Sequence, residues 1–187
     1  MHDVTVPMLW LPIILSAVIV MVGSTIVWMM FKYENADWKV IPGEDQFRDA
    51  VRKLNLPAPG QYVFPHMMGS ADPQTAMKKA EEGPSGILLL RRPQKWSMSK
   101  PLIQSFVLYL VVSFFAAYVA SHAVSRGTDY LRVFQIVGAA SFMGYGLGVF
   151  VDAIWWGRTW SSACKTALSG LIYACLTAGT FGWLWPR

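Results

Sequence analysis

The feature that most constrains this chain is an apolar run of 24 residues, Met8 to Phe31, that contains no charged side chain. As an α-helix this run would extend about 36 Å, enough to cross a hydrocarbon core of about 30 Å with some tilt. Three further apolar segments follow, from Pro101 to Val124, from about Val133 to Val151 and from about Thr166 to Leu184. The sequence therefore predicts four transmembrane helices.

The composition of the chain also indicates a membrane protein. Hydrophobic residues make up 54% of the sequence and charged residues 14%, whereas about a quarter of the residues of a typical soluble domain are charged. So few charges cannot cover a soluble surface of this size. The first segment is expected to remain as an anchor rather than be cleaved as a signal peptide, because no basic region precedes it and no small-residue cleavage site follows it.

The connection between the first two segments has the pattern of a small folded lobe. An amphipathic helix is predicted in EDQFRDAVRKLN, with acidic residues in its first turn and basic residues in its last. A second helix is predicted with Asp72 as N-cap, Pro73 at the first position and Gly83 after its end. The stretches QYVF and GILLL are typical of short strands. The predicted fold class is an all-α membrane protein with four transmembrane helices and a small α+β cytoplasmic lobe between helices 1 and 2.

The sequence is predicted to form three regions: 1–31 (tail and helix 1), 32–100 (lobe) and 101–187 (helices 2 to 4). Basic residues are distributed unequally over these regions. The lobe and the 157–165 loop carry most of the basic residues near segment ends: Lys32, Lys39, Arg48, Arg91, Arg92, Lys95, Lys100, Arg158 and Lys165. By the positive-inside rule, the lobe is expected in the cytoplasm and both termini outside. Because the basic residues flank apolar segments and form no single basic face, the net charge of +5 does not indicate nucleic acid as a partner.

Small residues recur every four positions on the last two segments. The rows are Ala140, Gly144 and Gly148 on the third segment and Gly170, Ala174, Ala178 and Gly182 on the fourth. Such rows let the backbones of membrane helices approach closely, which offsets the low helix propensity of glycine. We therefore predict that these residues are helix-packing positions. A glycine-lined pore or substrate path is the less favoured alternative, because such paths usually carry ionisable groups at membrane depth.

Asp152 continues the first row by one helical turn, at the predicted cytoplasmic border. Arg158 and Lys165 follow it in the sequence. We predict that Asp152 and Arg158 are interfacial charges and that Asp152 forms a border ion pair with a basic residue of the 157–165 loop, rather than that Asp152 is a proton-relay carboxylate, because a relay should lie at mid-membrane depth with a partner. No other Asp, Glu, Lys or Arg lies inside a segment, which argues against a transporter or pump.

His122, at the outer end of the second segment, is the candidate cofactor-binding residue. One imidazole suffices as an axial ligand of a haem or a chlorin, although a lone terminal histidine is more often interfacial. His66, Met67 and Met68 offer soft ligands, but no second histidine or cysteine lies nearby, so no metal site is predicted. The sequence contains no recognised catalytic motif. It therefore predicts no catalytic residue and no bound cofactor, and it leaves contact with a pigment or with lipid open.

Several stretches resemble a group of uncharacterised small bacterial multi-pass inner-membrane proteins. They are MLWLPIILSAVIV, PAPGQYVFPH, EEGPSG, KPLIQSFVLYLVVSFFAAYVAS and GLIYACLTAGTFGWLWPR, which are spread over most of the chain. The resemblance implies a bacterial inner-membrane location, but it implies no activity and no site residues. More distantly, the chain resembles an accessory subunit of a bacterial photosynthetic reaction-centre–light-harvesting complex.

These features predict a non-catalytic accessory subunit of a multisubunit energy-transducing complex, photosynthetic or respiratory, that stabilises assembly by helix packing. The expected partners are membrane lipids and other integral membrane subunits. A small transporter, channel or membrane enzyme using Asp152 or His122 is the alternative.

Overall fold

The computed structural model describes residues 4–31, 33–67 and 72–187. Lys32, which contributes to the predicted orientation, and Met68 of the His66 sequence lie outside the described residues. The described chain divides into two compact units. The helical unit contains the described residues up to Trp38 and those from Ser97 onward, and the second unit is Lys39–Trp96. The second unit is therefore shorter at both ends than the predicted 32–100 lobe.

The chain contains seven α-helices and two strands within the described ranges. In chain order they are α1 (Trp10–Ile26), α2 (Glu44–Lys53), β1 (Gly60–Phe64), α3 (Pro73–Glu82), β2 (Gly86–Leu90), α4 (Ser99–Ala123), α5 (Tyr130–Phe142), α6 (Val149–Trp155) and α7 (Trp160–Leu184). A short 3-10 helix, Val6–Leu9, precedes α1, and a π-helical turn, Val27–Phe31, follows it. A second π-helical turn, Met143–Leu147, joins α5 to α6.

Four helical spans of the helical unit are long and apolar enough to cross a membrane, which confirms the four predicted segments. The spans are Val6–Phe31, Ser99–Ala123, Tyr130–Trp155 and Trp160–Leu184. Each exceeds the roughly 20 residues that a bilayer requires. The chain therefore has the architecture of a multi-pass membrane protein.

Helix α7 is the most enclosed of the four spans. Half of its most apolar stretch is buried inside the protein, compared with 28% for the span containing α1 and 22% for each of the other two. It packs against α1, α5 and α6, and α4 packs against α1 and α5. Fully buried Leu9, Val133, Val137 and Phe181 form the centre of the larger apolar cluster. Helices α1, α4 and α5 therefore keep broad apolar faces on the outside.

The second unit contains the predicted helices and strands. Strands β1 and β2 pair in antiparallel register, from Gly60 opposite Leu90 to Phe64 opposite Gly86. Helix α2 begins after Gly43, and α3 ends before Gly83, whose φ of 63° is left-handed and favours glycine. These elements confirm the predicted pair of helices and pair of strands.

Asp72 caps α3 and gives the second unit a specific dependence on pH. Its carboxylate accepts hydrogen bonds from the backbone N–H and from the hydroxyl of Thr75. These bonds, first of all that from the Thr75 hydroxyl, lower the pKa of Asp72 below its ordinary value of 3.8. A lowered folded-state pKa means that the cap stabilises α3 at pH values above the unfolded pKa, and that this stabilisation is lost as the pH falls through the folded pKa.

We therefore expect the amide resonance of Thr75 to titrate below pH 3.8 in spectra of the full chain in detergent, as its hydrogen bond to Asp72 is lost. Asp72→Ala should place this resonance near its acid position at every pH and fray the first turn of α3. An amide resonance that is identical in the variant and in the parent at neutral pH would contradict the cap.

Candidate functional site

The π-helical turn Met143–Leu147 changes which side of the third span faces the rest of the bundle. The buried positions are Val133, Val137, Ser141 and Gly146, spaced by four, four and then five residues. The five-residue step lies at the wider π turn, which adds one residue to a single turn of helix. Turns of this kind are frequent at functional sites.

Because of this change of register, the residues of the third span that pack inside the bundle are not the residues of the predicted row. Ala140 is half-buried at the edge of the apolar cluster. Gly144 is exposed, although a Cβ built on it would lie 3.0 Å from Val112 of α4. Gly148 is exposed, and a Cβ there would meet none of the described atoms within 4 Å. The prediction of Gly148 as a packing position within this chain is therefore corrected, because the π turn puts Gly146 in the interior in its place.

All four predicted small residues of α7 lie against other helices of the bundle. Ala174 and Ala178 are buried. A Cβ built on Gly170 would lie 2.7 Å from the Cα of Gly146, and one on Gly182 would lie 2.7 Å from the ring of Tyr130. The backbone of α7 therefore touches the backbone of the π turn at Gly170, which is the close approach that small residues permit between membrane helices.

Three tyrosine rings form a cluster around the π turn. Tyr109 of α4, Tyr145 of the π turn and Tyr173 of α7 have ring centroids 6.0 to 6.1 Å apart in all three pairs. Two of the pairs are edge-to-face, the arrangement that aromatic rings prefer. The hydroxyl of Tyr145 donates to the carbonyl of Tyr109 at 3.5 Å. The cluster thus connects three of the four spans.

Further buried hydroxyl groups lie inside the bundle, near the middle of α1. Ser16 Oγ donates to Ser113 Oγ at 2.9 Å, which links α1 to α4, and both side chains are fully buried. Ser141 Oγ is also buried and has no hydrogen-bond partner in the described part of the chain. In a membrane interior, hydrogen bonds between serine side chains contribute to helix association.

A second polar group, which we call the Glu34 cluster, lies where the chain leaves the first span. It consists of Tyr33, Glu34 and Asp37 from the segment after α1, and of Arg158, Ser162, Lys165, Thr166 and Ser169 from the start of α7 and the turn before it. Ser169 Oγ donates to Glu34 Oε1 at 2.5 Å, and Tyr33 in turn donates its hydroxyl to Ser169 Oγ. Glu34 is therefore folded back against α7. It contacts this helix at Ser169, nine residues after its first residue, Trp160.

The Glu34 cluster contains four charged residues. Lys165 and Asp37 form an ion pair, whereas Arg158 and Glu34 lie on either side of the Thr166 hydroxyl. Lys165 Nζ lies 2.8 Å from Asp37 Oδ1. Arg158 donates to Ser162 Oγ at 3.1 Å and to Thr166 Oγ1 at 2.6 Å. Thr166 Oγ1 lies 3.5 Å from Glu34 Oε2, so a hydroxyl group stands between the Arg158 guanidinium and the Glu34 carboxylate.

The predicted border ion pair of Asp152 is not observed among the described residues. Asp152 is exposed, and its backbone carbonyl accepts from the N–H groups of Trp156 and Arg158. Gly157 has a φ of 72°, which reverses the chain at the end of α6. After this reversal the Arg158 side chain bonds to α7 and not to Asp152. The prediction of this pair is therefore corrected, and Asp152 remains a single exposed carboxylate at the end of its span.

His122 is exposed at the end of α4, as its position in the sequence suggests. Its Nδ1 lies 2.8 Å from the backbone carbonyl of Tyr118. Because a carbonyl only accepts, Nδ1 is the donor in this contact, and in a neutral ring Nε2 then carries the lone pair. The ring packs against that of Tyr118, with centroids 4.6 Å apart. Within the described ranges, no group of three or more His, Cys, Asp or Glu side chains is suited to hold a metal ion.

The sequence analysis did not find the tyrosine cluster or the Glu34 cluster. One signal for the first was present, since Tyr109, Tyr145 and Tyr173 lie inside apolar segments and not at their ends, where interfacial aromatic residues are expected. The partners of Glu34 and Asp37 lie more than 120 residues away along the chain, so only the packing of α7 against the end of the first span brings them together.

Comparison with protein-family models, with curated proteins and with solved structures finds no match to this chain. Function is therefore inferred from the geometry of the described residues and from the chemistry that this geometry permits.

Proposed function

We propose that the protein is a non-catalytic subunit of a multisubunit energy-transducing complex in the bacterial inner membrane, where it stabilises assembly by helix packing. The complex would be a photosynthetic reaction-centre–light-harvesting complex or a respiratory one, and the distant resemblance of the sequence supports the first. The observation that carries the proposal is the exposed glycine face of the third span, which we define as Gly144 and Gly148 with the exposed side chains of Met143, Leu147 and Val151.

Gly148 is the residue on which the proposal depends most. Its φ of −59° is an ordinary helical angle, so the backbone does not require glycine there. An added Cβ would meet none of the described atoms, so the packing of this chain does not require glycine there either. Glycine lowers helix stability by about 1 kcal/mol relative to alanine. A second membrane helix that packs closely on the Gly144–Gly148 row would offset this cost.

His122 supports contact between the subunit and a pigment. A histidine that ligates a metal usually donates its other ring N–H to a carbonyl or carboxylate, as Nδ1 does to Tyr118. The exposed ring leaves Nε2 as the axial donor for the metal of a chlorin or haem held between this subunit and its neighbours. Lipid would cover the remaining apolar faces of α1, α4 and α5.

The basic residues support an orientation with the Lys39–Trp96 unit on the cytoplasmic side and both termini outside. In the alternative function, a small transporter, channel or membrane enzyme would use Asp152 or His122. These two residues lie at opposite ends of the bundle, because His122 lies at the end of the second span and Asp152 at the end of the third. Both are exposed. The two residues therefore cannot share one site, and neither lies at mid-membrane depth, where transport paths carry their ionisable groups, which favours the subunit over the alternative.

The experiment that tests the proposal is purification from native membranes solubilised with a mild detergent. The subunit is expected to co-migrate with a larger complex, to bring further integral membrane proteins with it in fixed ratio, and to show the absorption bands of that complex. Recovery of the protein purely as a monomer, under conditions in which known complexes of the same membranes stay intact, would contradict the proposal.

A further inference from the structure

A small cleft lies beside Glu34 at the end of the first span. It is lined by Val27, Trp28, Tyr33, Glu34 and Asn35 and has a volume of about 10 Å³. All five residues belong to the helical unit. Two of the lining side chains are aromatic and one is a carboxylate, a combination that suits a cation.

The Glu34 carboxylate accepts hydroxyl hydrogen bonds but has no ionic partner in the parts of the chain described. Ser169 donates to Oε1, and Thr166 Oγ1 lies 3.5 Å from Oε2. No lysine, arginine or histidine nitrogen among the described residues lies within 4.0 Å of the carboxylate. A carboxylate has about four lone-pair directions, and the two hydroxyl groups leave some of them free. A half-buried carboxylate of this kind gains most from a cationic hydrogen-bond donor.

The walls and size of the cleft restrict which cation it accepts. Trp28 and Tyr33 supply aromatic surfaces, which attract ammonium groups through the ring quadrupole. A volume of about 10 Å³ holds about one water-sized group. A primary ammonium group has this size and three N–H donors, whereas a trimethylammonium group is several times larger and has none.

We infer that the cleft beside Glu34 binds a primary ammonium group, with Glu34 as its counter-ion and Trp28 and Tyr33 as aromatic walls. Two sources supply this chemistry: the headgroup of an aminophospholipid and a free alkylamine. Met29, Met30 and Phe31 are exposed next to the cleft, at the end of a span long enough to cross a membrane. A lipid headgroup is therefore within reach of the cleft.

The test uses the full-length protein in vesicles that contain phosphatidylethanolamine or, at the same anionic lipid content, phosphatidylcholine. Retained lipid is counted by native mass spectrometry after gentle extraction. In parallel, the thermal unfolding temperature is measured in detergent with ethylammonium or tetramethylammonium chloride. We expect at least about a tenfold preference for phosphatidylethanolamine over phosphatidylcholine, or a rise in unfolding temperature with ethylammonium that tetramethylammonium does not give. The first result assigns the lipid as the source, and the second assigns a free amine.

The control variants separate Glu34 from general charge effects. Glu34→Gln keeps an oxygen that accepts from Ser169 but removes the charge, so it should abolish either preference. Asp152→Asn removes an exposed carboxylate of the same unit outside the cleft and should leave the preference unchanged. If Glu34→Gln does not fold, Trp28→Leu removes one aromatic wall and should weaken the same preference. The inference is overturned if the protein distinguishes neither the two lipids nor the two amines, or if the preference survives the loss of the Glu34 charge.

Discussion

Replacing Gly170 with leucine is expected to prevent assembly of the four-helix unit. A Cβ at this position would lie 2.7 Å from the Cα of Gly146, 2.8 Å from the carbonyl oxygen of Tyr145 and 2.9 Å from the nitrogen of Gly146. All three are backbone atoms, so no side-chain rotation relieves the clash. Overpacking of interiors costs about 1–3 kcal/mol and occasionally more, and contact with backbone places this variant at or above the upper end. Thermal unfolding in mild detergent, with the fraction that elutes as a single species, measures the effect.

The matched control is Gly148→Leu, which adds the same atoms to a glycine of the neighbouring span. No described atom lies within 4 Å of a Cβ at Gly148, so the purified variant should unfold within a few degrees of the parent. Gly170→Ala should lie between the two leucine variants, since its single methyl group already meets the π turn. Equal stability of Gly170→Leu and Gly148→Leu would show that α7 does not pack on the π turn.

Replacing Lys165 with methionine is the second change for which we expect a large effect. Lys165 Nζ lies 2.8 Å from Asp37 Oδ1, and Asp37 Oδ2 is buried without a hydrogen-bond partner in the described part of the chain. The variant leaves the Asp37 carboxylate uncompensated. Breaking a fully buried ion pair costs about 3–5 kcal/mol. Because the two side chains are 29% and 20% exposed, we expect a smaller loss, about 2 kcal/mol of unfolding free energy.

The double variant Asp37→Asn/Lys165→Met distinguishes the loss of a partner from the loss of packing. It removes both charges, so most of the stability lost in Lys165→Met should return, as is usual when both members of a buried pair are replaced. Denaturant unfolding of the parent, the single variant and the double variant measures the coupling free energy between Asp37 and Lys165. A double variant no more stable than Lys165→Met would mean that Asp37 is not destabilised by losing its partner.

The spans and the elements of the second unit were predictable because their signals are local. Uncharged runs such as Met8 to Phe31 identify a membrane helix without knowledge of the partners it contacts. Asp72, Pro73 and Gly83 mark both ends of α3 through hydrogen bonds and backbone angles of neighbouring residues. Such features depend on a few consecutive residues, which the sequence shows directly.

The packing row of the third span was not predictable because one π turn changes its register. A four-residue period from Ala140 leads to Gly144 and Gly148, whereas the interior position is Gly146. The sequence GYGLG fits both arrangements, because glycine is small enough for an interior or an exposed position. The decision is made by α7, whose Gly170 contacts the backbone at Gly146. A contact between two spans is needed to choose the register.

The Glu34 cluster was not predictable for a related reason. Glu34 and Asp37 follow the first apolar run and, judged from the sequence, belong to a solvated connection. The structure folds them back on α7, where Ser169 and Lys165 provide their partners. The sequence shows the carboxylates and the distant hydroxyl and ammonium groups, but it does not show that they meet.

The most direct test of the proposed subunit role compares Gly148→Leu with Cys175→Leu in native membranes. Cys175 is an exposed small residue of α7, so the control adds bulk to the surface of another span, outside the glycine face. The measured quantity is the amount of partner subunits recovered with each variant after mild solubilisation, relative to the wild type. We predict that Gly148→Leu lowers this recovery about tenfold, because overpacking a helix contact costs about 1–3 kcal/mol and about 1.4 kcal/mol corresponds to a factor of ten, whereas Cys175→Leu leaves it near the wild-type level. Equal recovery with both variants would contradict docking through the glycine face.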